Sequence, residues 1–202
     1  MMYNLDRHFK FIILWGVIFA LISLFVGLIL PKYYSAESDV LLMPRGITGV
    51  DSYTQAKSTE RIGENLAQVL GTTDFYKKVM SQTIVEIDKT KWVDLSERKQ
   101  RKKWARDIKA SMSYGSSMMH ISTYARTKEE AVKMSNAVVS TVIKSSWEYV
   151  GSGITVKPVN DPLTSFLPAR PNLVLNIILG FVLGLVLSTL WVVKSKEMEY
   201  NK

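Results

Sequence analysis

The chain has 202 residues, with 26 lysines and arginines against 18 aspartates and glutamates for a formal net charge of +8, two histidines and no cysteine. A thiol-free chain makes no demand on redox compartment. No side-chain cluster at metal-ligand spacing and none of the H-E-x-x-H, G-x-S-x-G or G-x-x-x-x-G-K-[ST] patterns is present, so no metal, no cofactor and no catalytic residue is expected.

After a short tail, 1–10, residues 11–30 (FIILWGVIFALISLFVGLIL) form an apolar run without a charge. At the rise of a helix it spans about 30 Å, the thickness of a bilayer's hydrocarbon core. A cleavable signal peptide is the competing reading. Signal cores are shorter, about 7–15 residues, and end in a small-x-small site. Leu30-Pro31-Lys32-Tyr33-Tyr34 offers none, so a retained anchor is expected.

Residues 31–172 have the mixed composition and the length of one domain with its own core. A strand is predicted over 34–43, bounded by Pro44, Arg45 and Gly46. Asp51 caps a helix running to Leu70, with Gly71 as its stop and Tyr53, Ala56, Ile62, Leu66 and Val69 or Leu70 as its apolar stripe. Thr73 caps a short helix over 74–81, and 83–87 reads as a brief strand or an extended connection. A basic helix is predicted over 95–110, with Trp104 and Ile108 one turn apart as its apolar edge. Extended segments follow over 111–114 and 118–124, broken by a turn at Gly115-Ser116-Ser117. Thr127 and Glu130 form a T-x-x-E box that opens a long helix over 128–150. Its face of Ala131, Val138, Val139, Val142 and Ile143 suits a sheet, and Gly151-Ser152-Gly153 ends it. A last strand covers 154–159, and a proline-rich segment, 158–171 with Pro158, Pro162, Pro168 and Pro171, leads onward. Strands at both ends with helices between them make an α+β pattern.

The second apolar run, 173–193 (LVLNIILGFVLGLVLSTLWVV), is again free of charge and too long for an ordinary buried core helix; the tail 194–202 follows. The expected layout is therefore an α+β domain inserted between two transmembrane helices, with both termini on one side. Arg7, Lys10, Lys194, Lys196 and Lys202 in the tails face Lys32, Arg45, Lys157 and Arg170 in the loop flanks, a slight lean towards cytoplasmic termini and an extracytoplasmic domain. Nucleic acid, which the net charge alone would suggest, is not expected as a partner on that side.

Three features could carry function. Arg98, Lys99, Arg101, Lys102 and Lys103 form a basic face able to attract an anionic polymer or lipid headgroups, against the plainer reading of a solvated helix face. Small or polar residues recur along both apolar runs, Gly16, Ala20, Ser23 and Gly27 in the first and Asn176, Gly180, Gly184 and Ser188 in the second, and in lipid such stripes mark helix contacts. His120 shares a strand face with Ser122 and Tyr124, opposite Met119, Ile121 and Thr123, and reads as an ordinary strand histidine.

The junction Val156-Lys157-Pro158-Val159-Asn160-Asp161-Pro162, continued by Leu167-Pro168-Ala169-Arg170-Pro171-Asn172 and Asn176-Ile177-Ile178-Leu179-Gly180-Phe181-Val182-Leu183-Gly184-Leu185, resembles the proline-rich segment and second span of the chain-length determinant (Wzz-type) polysaccharide co-polymerases. Pro31-Lys32-Tyr33-Tyr34-Ser35-Ala36-Glu37-Ser38 is similar to that family's exit from its first span. Thr127-Lys128-Glu129-Glu130-Ala131-Val132-Lys133-Met134-Ser135-Asn136-Ala137 is similar to its strand-to-helix step. The resemblance implies a bacterial inner (cytoplasmic) membrane protein, a homo-oligomer that acts as a non-enzymatic scaffold beside a polysaccharide polymerase or growing glycan. It would regulate the chain length or export of a surface or capsular polysaccharide. In size the chain is similar to the small Gram-positive capsule members, whose cytoplasmic tail activates a separate tyrosine kinase; here the tail is KSKEMEYNK, with Tyr200 its one tyrosine. A transmembrane adaptor for a cytosolic tyrosine kinase and a doubly anchored surface sensor or binding module are the alternatives.

Overall fold

The computed structural model describes residues 5–45, 51–83 and 85–200, and for residues 5–8, 93 and 196–200 the backbone alone. The chain divides into two compact units, one joining the stretch up to Lys32 with the stretch from Pro168 onward, the other Tyr33–Leu167.

The first unit is a helix pair. Helix α1 spans Leu5–Ile29 and the last helix of the chain spans Leu173–Tyr200. Both are long and apolar enough to cross a membrane, over Phe9–Ile29 and Leu173–Ser195. They run antiparallel: the Phe11 and Trp191 rings lie 5.7 Å apart near one end, and Gly27 abuts Leu173 and Asn176 near the other. The first helix begins before position 11, because nothing in 5–10 breaks it, and the second continues through the segment expected to be a tail. Residues 1–4, 201 and 202 of the expected tails lie outside the described residues, as do the side chains of Lys196 and Tyr200. Leu14, Leu21, Phe25, Leu183, Leu187 and Leu190 are exposed.

The second unit is an α+β domain. After strand β1 (Tyr34–Pro44) come helices α2 (Ser52–Leu70), α3 (Thr73–Ser81), α4 (Thr90–Val93) and α5 (Glu97–Asp107). The hairpin β2 (Ile108–Met112) and β3 (Met118–Ala125), helix α6 (Lys128–Val150), and strands β4 (Ile154–Pro158) and β5 (Leu163–Thr164) complete it, so the last helix is α7. The sheet runs β2-β3-β1-β4 with every pairing antiparallel, and β5 extends the β4 side of β1. This is a split β-α-β arrangement. Alternation sorts the two faces of β1: Ala36, Ser38, Val40 and Leu42 are buried, while Glu37 is exposed and Asp39, Leu41 and Met43 are half-buried. On the open face Lys109, Ser111, His120 and Lys157 are also exposed.

Val40, Leu42, Met119 and Ile121 from the sheet meet Leu66 and Leu70 of α2, Phe75 and Val79 of α3, and Val138 and Val142 of α6. Among the described residues the buried side-chain nitrogen and oxygen atoms are paired. Ser38 and Ser135 share a 2.7 Å hydrogen bond between β1 and α6, and the Thr123 hydroxyl donates to Ala131 O at 2.9 Å. Trp104, fully buried, donates its indole N–H to Leu70 O at 2.7 Å and so satisfies a carbonyl at the end of α2, where no intrahelical partner exists. Its ring sits edge-on to Tyr76 (5.3 Å) and Trp92 (5.9 Å).

Several expectations need correction. The basic helix stops at Asp107. Ile108 is extended and begins β2, because the alternation Ile108, Ala110, Met112 pairs with β3; Trp104 and Ile108 both reach the core, one from a helix and one from a strand. Tyr53 is 78% exposed; the buried line of α2 is Thr59, Gly63, Leu66 and Leu70. Thr72, not Thr73, caps α3, accepting from Phe75 N at 3.3 Å. Ile143 is exposed, and Met134, Ser135, Ala137, Thr141, Ser145 and Ser146 join the buried face of α6. Of the two readings of 83–87 the connection holds, since the described residues there form no strand; Gly46 and Ile84 lie outside the described residues. Asp51, Thr127 and Gly151 cap their helices, Gly151 with φ +78°, a conformation that favours glycine.

Trp104→Ala should destabilise the domain by about 3–5 kcal/mol through lost packing. Trp104→Phe keeps much of the ring but leaves Leu70 O buried without its donor, at about 1–3 kcal/mol. Urea unfolding of the full chain in detergent, followed by far-UV circular dichroism, checks both values and their order.

Candidate functional site

The small-residue stripes meet each other within one chain. A Cβ placed on Gly184 would lie 2.7 Å from Trp15 O and 2.8 Å from Gly16 Cα; one on Gly180 would lie 2.8 Å from Phe19 O. Both glycines are therefore sites of direct backbone approach between α1 and α7. Gly16 packs under Phe181 and Leu185, and Gly27 under Leu173. The Ser23 hydroxyl donates to Asn176 O at 2.8 Å, a polar tie between the helices. Ser188 turns back on its own helix, to Gly184 O at 2.8 Å, and Ala20 and Asn176 are half-buried along the same seam. Ile12 and Val192, both 7% exposed, also belong to it; large apolar residues in an apolar run carry no signal of which face they occupy.

The proline-rich segment follows the edge of β1. Pro158 ends β4 and Pro162 precedes β5, and neither can donate a backbone N–H. Asn160 fills the interval: its Oδ1 accepts from Asp39 N at 2.8 Å and its Nδ2 donates to Asp39 Oδ2 at 3.0 Å, while Val159 N donates to Asp39 O at 2.9 Å. Further on, Ser165 and Ser35 exchange Ser165 N to Ser35 O (3.0 Å) and Ser35 N to Ser165 Oγ (3.2 Å). Pro168 and Pro171 are half-buried in the helix-pair unit, before α7.

The five cations clustered over 98–103 of α5 divide. Arg98, Lys99, Arg101 and Lys102 are exposed, and among the described residues none of the four makes an ion pair. Lys103 points the other way, as its place beside buried Trp104 on a 3.6-residue period requires. Its ammonium lies 4.0 Å over the Trp92 ring and donates to Lys91 O at 3.2 Å. Gln100, one turn earlier, donates to Trp92 O at 2.9 Å, so this side of α5 faces inward.

On the open sheet face His120 joins two partners that strand alternation alone does not reveal. Its Nδ1 contacts Asp39 Oδ1, the residue opposite it in the β1–β3 register, and its Nε2 pairs with Ser113 Oγ at 2.7 Å. Ser113, His120 and Asp39 are thus linked in the order of a hydrolytic relay. His120 is exposed, and Asp39 and Ser113 are half-buried beside it. The visible role of the group is to tie β1, β3 and the β2–β3 turn together. Among the described residues no three histidine, aspartate or glutamate side chains gather as metal ligands.

No protein-family model matches the chain, and no curated protein is significantly similar to it.

Gly184→Leu should force α1 and α7 apart at a cost of about 1–3 kcal/mol, as overpacking does in close-packed cores. Since the chain has no cysteine, Phe11→Cys with Trp191→Cys can be joined by a short bis-maleimide within one chain. Adding Gly184→Leu should lower that intramolecular yield severalfold, with Gly184→Ala intermediate.

Proposed function

We propose that this protein is a membrane-anchored polysaccharide co-polymerase of the chain-length determinant type, a non-enzymatic scaffold that regulates the length or export of a surface glycan. The observation that carries the reading is the helix pair. Two helices of spanning length pack through small residues and turn leucine, isoleucine, valine and phenylalanine side chains outward, a surface stable in hydrocarbon and costly in water. The domain between them starts and ends in one sheet, which suits a body carried on a two-helix anchor. The resemblance of the 156–172 junction to the family supplies the polymer-length role, with the domain extracytoplasmic and both termini cytoplasmic.

The small-residue faces are used inside one chain. Subunits of an oligomer would then meet through the α+β domain or through the aliphatic backs of the helices.

Two measurements test this. Tyr114, at the hairpin tip and 92% exposed, replaced by cysteine should react with a membrane-impermeant maleimide in intact cells, and Ser195→Cys should not. The opposite pattern overturns the orientation. Loss of the protein should change the length distribution of the surface glycan resolved on a gel, and re-expression should restore it. An unchanged distribution overturns the function.

A further inference from the structure

An open cleft of about 930 Å³ lies in the domain between residues 86–92, the inner side of α5 and the start of α6. Its volume falls in the range of small-molecule sites and is far larger than a single inorganic anion needs. Carboxylates and cations both line it, and their pairing leaves an imbalance. Arg106 holds Asp107 at 3.0 Å, and Lys91 holds Glu130 and, at 3.4 Å, Asp88. Three of the four lining carboxylates are thus engaged, Glu86 being the fourth. Lys103, Arg126 and Lys133 also line the cleft, and among the described residues none of these three makes an ion pair. Tyr33 and Tyr124 add aromatic surface to the wall.

We infer that this cleft binds an acidic saccharide, a short glycan segment whose carboxylates meet Lys103 and Arg126 and whose rings lie against the tyrosine-lined wall. The inference rests on the glycan-handling function proposed above and names the chemistry that function would recognise. Lys103 is the anchor of the argument because it is held in place, over Trp92 and on Lys91 O, before any ligand arrives. Burial pushes its ammonium below the ordinary lysine range; Asp107 opposes that, and Arg106, Lys91 and Arg126 add to it. A fixed cation short of counter-charge is what a ligand carboxylate offsets. The outer cations Arg98, Lys99, Arg101 and Lys102, which a reading by charge density alone would favour, stand outside the cleft.

The test uses the full chain in nanodiscs, with trigalacturonate as the probe, maltotriose as the neutral control and inorganic phosphate as the bare anion. Trp92 lines the cleft, so tryptophan fluorescence reports occupancy alongside calorimetry. Trigalacturonate should bind, more weakly as salt rises, and maltotriose and phosphate should bind at least about tenfold more weakly. Arg126→Gln, at an exposed position, and Lys103→Gln should each weaken trigalacturonate about tenfold, while Arg98→Gln with Lys102→Gln should leave it unchanged. No binding of trigalacturonate, equal binding of phosphate, or equal loss in the outer-face variant overturns the inference. The two readings separate cleanly. Binding that needs Lys103 and Arg126, in a protein whose loss leaves glycan length unchanged, keeps the site and removes the co-polymerase role; the converse result removes the site alone.

Discussion

Strand β1 must satisfy hydrogen bonds along both of its edges, and the second unit is organised around that requirement. One edge is taken by β3 from Tyr34 to Leu41. The other is taken by segments that follow α6: β4 against Val40–Pro44, then β5 against Ala36 and Glu37. A central strand cannot leave backbone groups unpaired, so the chain beyond α6 has to retrace β1 over nearly its whole length. Prolines at 158 and 162 remove donors within that stretch, and the Asn160 amide covers the interval by bonding both the backbone and the carboxylate of Asp39. The segment that looks from its prolines like a loose linker is in this part an irregular strand.

The helical layer follows from the buried face of the same strand. Ser38 meets Ser135 beneath α6, Val40 and Leu42 enter the apolar cluster, and α5 closes the far side of that cluster through Trp104. The position of Trp104 then decides the fate of the basic residues around it. Lys103 is carried inward and four neighbouring cations outward, so a run that is uniform in composition becomes two surfaces of different character. The indole bond to Leu70 O links α5 to the end of α2, which makes the inner wall of the cleft part of the core.

Features set by nearest neighbours were legible in the sequence. Caps at Asp51 and Thr127, the stop at Gly151 and the turn at Gly115 depend on one or two residues acting on adjacent backbone. The apolar runs were equally plain, as were the small residues within them, although a stripe names a contact face and not its partner, here the other helix of the same chain. Trp104 and Ile108 misled because a spacing of four fits a helix, while the pairing that makes Ile108 a strand residue lies across the hairpin at Thr123. Tyr53 misled because an apolar ring at helical spacing need not find a layer to cover it. The Asp39–His120–Ser113 chain and the Asn160 bridge were out of reach: their members are separated by as many as 121 positions and meet only through sheet order.

The reciprocal bonds between Ser35 and Ser165 have a further consequence. They fasten the second position of β1 to the residue just after β5, so the two ends of the α+β body lie beside each other on one edge of the sheet. A body closed in this way is a cassette. Its interior can be lengthened or shortened in evolution with its two ends still held together, because insertions at the hairpin or helix connections do not reach the clasp.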